Sequence, residues 1–118
     1  MIDSPGWNTL ILFERGKIVG TSSFCKSRFP QFEGCGEIIS LYLLPEYMGK
    51  GYGKELLKFV IAELSAQGFQ EIFLYVLEEN NRARVLYEHC GFLKAEDVIE
   101  EKIGGKNIRE IRYVLKSG

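Results

Sequence analysis

Residues 45–54, Pro-Glu-Tyr-Met-Gly-Lys-Gly-Tyr-Gly-Lys, carry the sharpest chemical signal in the chain. Alternate glycines at 49, 51 and 53 remove the side chains that would hold a ligand away from the backbone. An apolar run, Glu37–Leu44, precedes the loop, and an amphipathic pattern begins inside it at about Gly51. The unpaired N–H groups and the positive dipole end of that helix therefore converge on one spot. Such a spot suits a phosphate or pyrophosphate, and Lys50 and Lys54 add positive charge. Two familiar owners of a strand–loop–helix pattern fail on spacing. A P-loop needs a hydroxyl after its Gly-Lys, and Gly53-Lys54 is followed by Glu55. A dinucleotide fingerprint needs Gly-x-Gly-x-x-Gly with an acidic residue closing a strand about 20 positions on. Here the glycines are compressed by one residue, and Glu71 opens a strand.

Other chemistries find little material. His89 is the only histidine, which removes most triad and metal schemes. Cys25, Cys35 and Cys90 form no C-x-x-C pair, so neither a disulfide framework nor a zinc site is indicated. With a formal net charge of −1 and scattered basic residues, the chain has no nucleic-acid footprint. No apolar run approaches the ~20 residues of a membrane span, and the N-terminus lacks a signal-peptide pattern. The expectation is one cytoplasmic domain over all 118 residues, large enough for a single core.

The elements that must position the loop can be read in order. Thr9–Phe13 and Lys17–Cys25 are β-rich runs joined across Glu14-Arg15-Gly16, a hairpin signal. Residues 27–36 form a loop, and Glu37–Leu44 reads as a strand too continuously apolar to face water on one side. Gly53, Leu56, Leu57, Val60, Ile61 and Leu64 make one helical stripe, ended by Gly68 at the C′ position. Glu71–Leu77 is a second buried strand, so strand, helix and strand form a right-handed crossover. Asn80 or Asn81 caps a shorter helix carrying Ala83, Leu86, Tyr87 and Cys90 on one face, which Gly91 ends. Asp97–Ile103 and Lys106–Leu115 are strands joined across Gly104-Gly105. The order β-β-β-α-β-α-β-β describes an α+β domain with a mixed, mostly antiparallel sheet flanked by helices.

The glycine-rich segment and residues 80–92, Asn-Asn-Arg-Ala-Arg-Val-Leu-Tyr-Glu-His-Cys-Gly-Phe, gain meaning as a pair. Together they resemble the GCN5-related N-acetyltransferase (GNAT) superfamily. Its acyl-CoA loop runs Gln/Arg-x-x-Gly-x-Gly/Ala, and its later segment runs Asn-x-x-Ala-x-x-Leu-Tyr-x-x-x-Gly-Phe. Asn80, Ala83, Leu86, Tyr87, Gly91 and Phe92 match the second pattern position for position. The resemblance covers about Thr9 to Leu115.

The resemblance implies transfer of an acetyl group from acetyl-CoA, as cosubstrate and without a metal, to a primary amine by direct attack. The pyrophosphate would lie against the amides of Met48, Gly49, Lys50, Gly51, Tyr52, Gly53 and Lys54. The sheet would splay between Glu37–Leu44 and Glu71–Leu77, leaving backbone groups of Leu41, Tyr42 and Leu43 to pair with the pantetheine arm. Tyr87 is then the general acid for the departing thiolate, and Asn80 contacts the CoA arm or caps its helix. The base stays open between Glu37, a carboxylate in the later strand (where this chain has Tyr75), and a water relay.

Two departures stand out. Met48 occupies the usual Gln/Arg position. Family members usually begin with a strand and two helices that help wall the acceptor site, and only Met1–Asn8 precede the first strand here. The resemblance therefore implies an unpaired sheet edge beside Thr9–Phe13 and a chain that forms a homodimer or is part of a longer protein. A non-catalytic acyl-CoA-binding or interaction module is the alternative to the enzyme.

Overall fold

The computed structural model describes residues 7–116. Six strands and two helices follow in the order β1 (Asn8–Glu14), β2 (Lys17–Lys26), β3 (Gly36–Leu43), α1 (Tyr52–Ala66), β4 (Glu71–Leu77), α2 (Asn81–His89), β5 (Leu93–Ile103) and β6 (Lys106–Lys116). The expected order is thus observed, as are both tight hairpin turns. Arg15 and Gly16, and Gly104 and Gly105, all have positive φ, the geometry that matches the twist of paired strands. Residues 1–6, including most of the Met1–Asn8 segment, lie outside the described part.

The sheet order is β1-β2-β3-β4-β6-β5, with β3–β4 its one parallel pairing. That pairing is short. Only Gly36, Glu37 and Ile38 face β4, opposite Ile72, Phe73 and Leu74, whereas β4 stays paired to β6 from Glu71 to Leu77. Beyond Ile38, β3 remains with β2 and leaves β4. The departure coincides with a bulge: Ser23 faces Ser40 but Phe24 faces Ile38, so Ile39 is the extra residue. Two hydroxyls fasten it. Ser22 Oγ, fully buried, donates to the Ser40 carbonyl at 2.7 Å, and Ser40 Oγ accepts from Ser23 N at 3.3 Å.

Both helices pack on one face. Leu57, Val60 and Leu64 of α1 and Tyr87 of α2 join Phe24, Ile38, Ile72, Leu74, Phe92, Ile111 and Tyr113 in a single core. The opposite face of β4 is covered by the 27–36 segment, whose Phe29 and Phe32 lie 6.1 and 4.9 Å from the Phe73 ring. Nothing among the described residues covers the opposite face of the β1 end, where Ile11, Phe13 and Tyr42 stay about half exposed.

Two expectations need correction. β3 is not buried throughout: Ser40 and Tyr42 are exposed, because the strand has lost its β4 neighbour and one of its faces is uncovered. β5 begins at Leu93, well before Asp97, since Leu93 and Lys94 pair with Val114 and Tyr113 ahead of a register shift. Its exposed apolar start gives no alternation to read. The expected face of α2 is present: Tyr87 is buried in the core, and Ala83, Leu86 and Cys90 pack against it in part.

Ser22→Ala should reveal how much the bulge depends on its buried donor. Leaving the Ser40 carbonyl unsatisfied is expected to cost about 1–3 kcal/mol in urea unfolding; an unchanged midpoint would show that the bulge holds without that bond.

Candidate active site

The glycine-rich loop ends in a helix start without a side-chain cap. Gly51 is the N-cap of α1 at φ 91°, and Gly49 has φ 76°, so both positions require left-handed backbone that side-chain-bearing residues avoid. The first intrahelical bond runs from Glu55 N to Gly51 O, which leaves the amides of Tyr52, Gly53 and Lys54 without partners among the described residues. At α2 the opposite holds. Asn80 caps that helix, its side-chain oxygen accepting from Ala83 N at 3.2 Å.

Between these two helix starts lies a cavity of 640 Å³. It is lined by Leu41, Leu43, Met48, Gly49, Gly51, Gly53, Lys54, Asn80 and Tyr87, nine of the residues expected for the cofactor. A second cavity of 340 Å³ occupies the opening between β3 and β4 and is lined from both sides of the sheet, by Tyr42 and Tyr75 as well as Asn80 and Tyr87. Tyr87 and Leu41 thus border both spaces. The expected splay is present, and Tyr87 stands at its foot.

Tyr87 is held between two aromatic rings on a helix that is itself tied down. Its ring packs against Phe92 and Tyr113 at 5.9 and 6.3 Å. Arg84, one turn earlier, donates to Tyr113 Oη at 3.1 Å and to the Glu78 carbonyl at 3.0 Å, and Tyr113 in turn donates to Glu88 at 2.7 Å. These bonds tie α2 to β6 and fix its rotation. The Tyr87 hydroxyl has no hydrogen-bond partner among the described residues, and burial pushes its pKa up to about 12. It is a neutral donor facing the cavity.

Other expected residues sit elsewhere. Glu37 is 2% exposed and lines neither cavity. Oε1 accepts from the Arg28 amide and Nε, and Oε2 accepts from Arg28 Nη2 at 2.8 Å, so the carboxylate is closed in an ion pair. Tyr52 turns away from the site and donates to Glu14 at 2.7 Å; what it offers the loop is its backbone N–H. Lys50 is exposed and its side chain is not part of the cavity wall. Tyr75, whose pKa burial and a hydrogen bond to Asp97 raise to about 12, opens on the strand gap from the far face. Asp97 itself is held below the usual carboxylate range by Arg112. Arg82, Val85 and His89 also line the larger cavity. They recur at three- and four-residue steps from Asn80's side of α2, so the helical period alone would have found them.

The chain belongs to the acetyltransferase (GNAT) family, whose model matches residues 2–92. It is 36% identical over 83 residues to [ribosomal protein bS18]-alanine N-acetyltransferase of Haemophilus influenzae, covering 70% of this chain and 53% of that protein. It is 46% identical over 57 residues to mycothiol acetyltransferase of Beutenbergia cavernae, covering 48% of this chain and 19% of the relative. The chain therefore spans about half or less of these curated relatives. The structure of yncA from Salmonella typhimurium, solved with its cofactor acetyl-CoA, superposes with a TM-score of 0.82 at 24% identity, over 95% of this chain and 65% of that one.

The buried phenol makes a prediction about pH. Unfolded tyrosine ionises near pH 10 and Tyr87 only near 12, so above pH 10 the unfolded state holds fewer protons and stability falls as pH rises. The loss due to this residue should approach about 1.4 kcal/mol per pH unit up to pH 12. Tyr87→Phe should flatten the alkaline side of the stability profile; an identical profile would show that the phenol is not protected.

Proposed function

We propose that this chain transfers an acetyl group from acetyl-CoA to a primary amine. The observation that carries the reading is the coincidence of an uncapped helix start, an opened strand pair and a buried neutral tyrosine around two cavities that share Leu41, Asn80 and Tyr87 as walls. The residues fit the cosubstrate: the loop offers amides and Lys54 to phosphates, and the free edge of β3 offers backbone groups to amides. When bound, acetyl-CoA supplies an activated thioester.

The remaining chemistry falls to the chain. The amides of 48–54 hold the pyrophosphate, and those of Leu41, Tyr42 and Leu43 align the arm and polarise the acyl carbonyl. Asn80 keeps α2 in register by its cap while bordering the arm. Tyr87 keeps a proton at Oη throughout the neutral range and presents it to the departing sulfur. A base role for Glu37 requires Arg28 to release it, which favours removal of the amine proton by a water relay. An amine acceptor is supported by the H. influenzae relative, which is named an alanine N-acetyltransferase. The three free cysteines fit a reducing, cytoplasmic setting.

Thiol release from acetyl-CoA, assayed against a panel of amines that includes an alanine-terminated peptide, tests the reading. Tyr87→Phe should cut turnover roughly 10²-fold with CoA affinity unchanged. Wild-type turnover in that variant would remove Tyr87 from the chemistry, and CoA binding without turnover on any amine would favour the non-catalytic acyl-CoA-binding module.

We also propose a homodimer through β1. Among the described residues β1 ends the sheet, and between Thr9 and Phe13 it carries no charge. The other edge, β5, is protected by several charged residues and an irregular register. An antiparallel β1–β1 pair is compatible with twofold symmetry. Sedimentation should find a dimer that Ile11→Lys converts to monomer; a monomeric wild-type protein at high concentration would contradict the proposal.

A further inference from the structure

On the face away from the helices, the two halves of the sheet have opposite character. Over β4 and β6 that face carries charges, each engaged, beneath the aromatic segment. Arg112 stacks 4.1 Å from the Phe32 ring and holds Asp97, and Arg28 closes Glu37. The β1–β3 half is different: residues 9–13, 18–25 and 38–44 include no charged residue. Phe24 and Ile38 point into the core on the helix side, so the alternate positions of these strands face away from it. Strand register lines those positions up in two rows. Thr9, Ser23 and Ser40 stand side by side, and Ile11, Thr21 and Tyr42 form the next row. At a strand spacing of about 4.8 Å, each row spans roughly 10 Å.

The first row is hydroxyl throughout. Thr9 Oγ1 and Ser23 Oγ lie 3.2 Å apart, and Ser40 Oγ accepts from Ser23 N, which leaves these groups further capacity to donate and accept. In the second row Ile11 and Tyr42 are about half exposed. Both rows run into the opening of the sheet. Ser40 and Tyr42 also line the 340 Å³ cavity between β3 and β4, which Tyr87 borders from the helix side. With the cosubstrate on the helix side, an acceptor reaches that cavity from the other one. There Phe29 and Phe32 cover β4, and among the described residues the β1–β3 face is the uncovered approach. A chain lying on it meets hydroxyls suited to amides and apolar surface suited to aliphatic groups. It meets no carboxylate, so a second positive charge would lose hydration there without gaining a partner.

We propose that the β1–β3 face seats the acceptor and selects an amine at the end of an uncharged extended chain, a peptide amino terminus followed by neutral residues, over polycationic amines. This deepens the acetyl-CoA reading and rests on it. The selection comes from what the wall lacks as much as from what it offers.

Thiol release is measured on an alanine-terminated hexapeptide of serine and threonine, the same peptide with lysine at its second and third positions, and a linear polyamine. The neutral peptide should exceed both others in kcat/KM roughly tenfold or more. Alaninamide, which keeps the amine and lacks the tail, should fall below the neutral peptide through a higher KM. Thr21→Glu places a carboxylate at the middle of the face. It should raise kcat/KM for the lysine peptide about fivefold at low salt, a gain that high salt erases, with CoA affinity by calorimetry unchanged. The wild-type ranking decides by itself, whether or not that variant folds. A lysine peptide or polyamine used as well as the neutral peptide would overturn the proposal and leave acetyl transfer standing. So would alaninamide matching the peptide, or an unchanged ranking in folded Thr21→Glu. Binding of CoA with turnover on no amine would overturn the proposal together with the reading beneath it.

Discussion

The structure depends on one opening. β3 and β4 are hydrogen-bonded for three residues at one end and then separate, so a six-stranded sheet becomes two half-sheets joined at a hinge line. Strand edges that part inside a domain leave N–H and C=O groups that folding would otherwise pair, a cost accepted only where something else satisfies them. Each half compensates locally. β4 is fully paired to β6, and β3 is fully paired to β2 apart from the single bulge at Ile39 that turns it away. The Ser22–Ser40 bond sits at that bulge and supplies one of the missing partners.

Everything proposed for the site follows from where that opening lies. The loop after β3 must cross from the end of a departing strand to the start of α1, and the glycines at positive φ let it do so with its amides exposed. On the other side of the opening, β4 feeds α2, and the Arg84–Tyr113–Glu88 bonds lock that helix so that Tyr87 stands at the foot of the gap. Uncapped helix start, free strand edge and protonated phenol are therefore three consequences of one topological decision. The aromatic strap of Phe29 and Phe32 covers the far face of β4, while none of the described residues covers the far face at Ile11, Phe13 and Tyr42.

Much of this was legible in the residues. Alternate glycines before a helical stripe announce an uncapped start, and paired turn residues at 15–16 and 104–105 announce hairpins, because in both cases local backbone geometry dictates residue type. The pairing of the glycine loop with the Asn80–Phe92 segment led to the family and so to the splay. What was hidden depends on contacts between distant segments. The bulge at Ile39 leaves no mark in Glu37–Leu44, which reads as an uninterrupted apolar strand although Ser40 and Tyr42 are exposed. The Arg28–Glu37 pair joins a loop to a strand nine residues away, and no period in either announces it. Tyr52 opens α1 within the glycine-rich segment but its side chain serves the hairpin through Glu14, which only the folded arrangement reveals.

The most direct measurement of the central claim is hydrogen exchange of the amides of residues 39–43 and 49–54, with and without CoA. If the parted strand edge and the uncapped helix start are the seat of the cosubstrate, the loop amides and those amides of 39–43 that face the opening, not β2, exchange quickly in the free protein and become protected together when CoA is added, while amides of β4 paired to β6 are slow throughout. Protection of the loop alone, with the exchange of residues 39–43 unchanged, would contradict the account: the opening in the sheet would then have no part in holding the ligand.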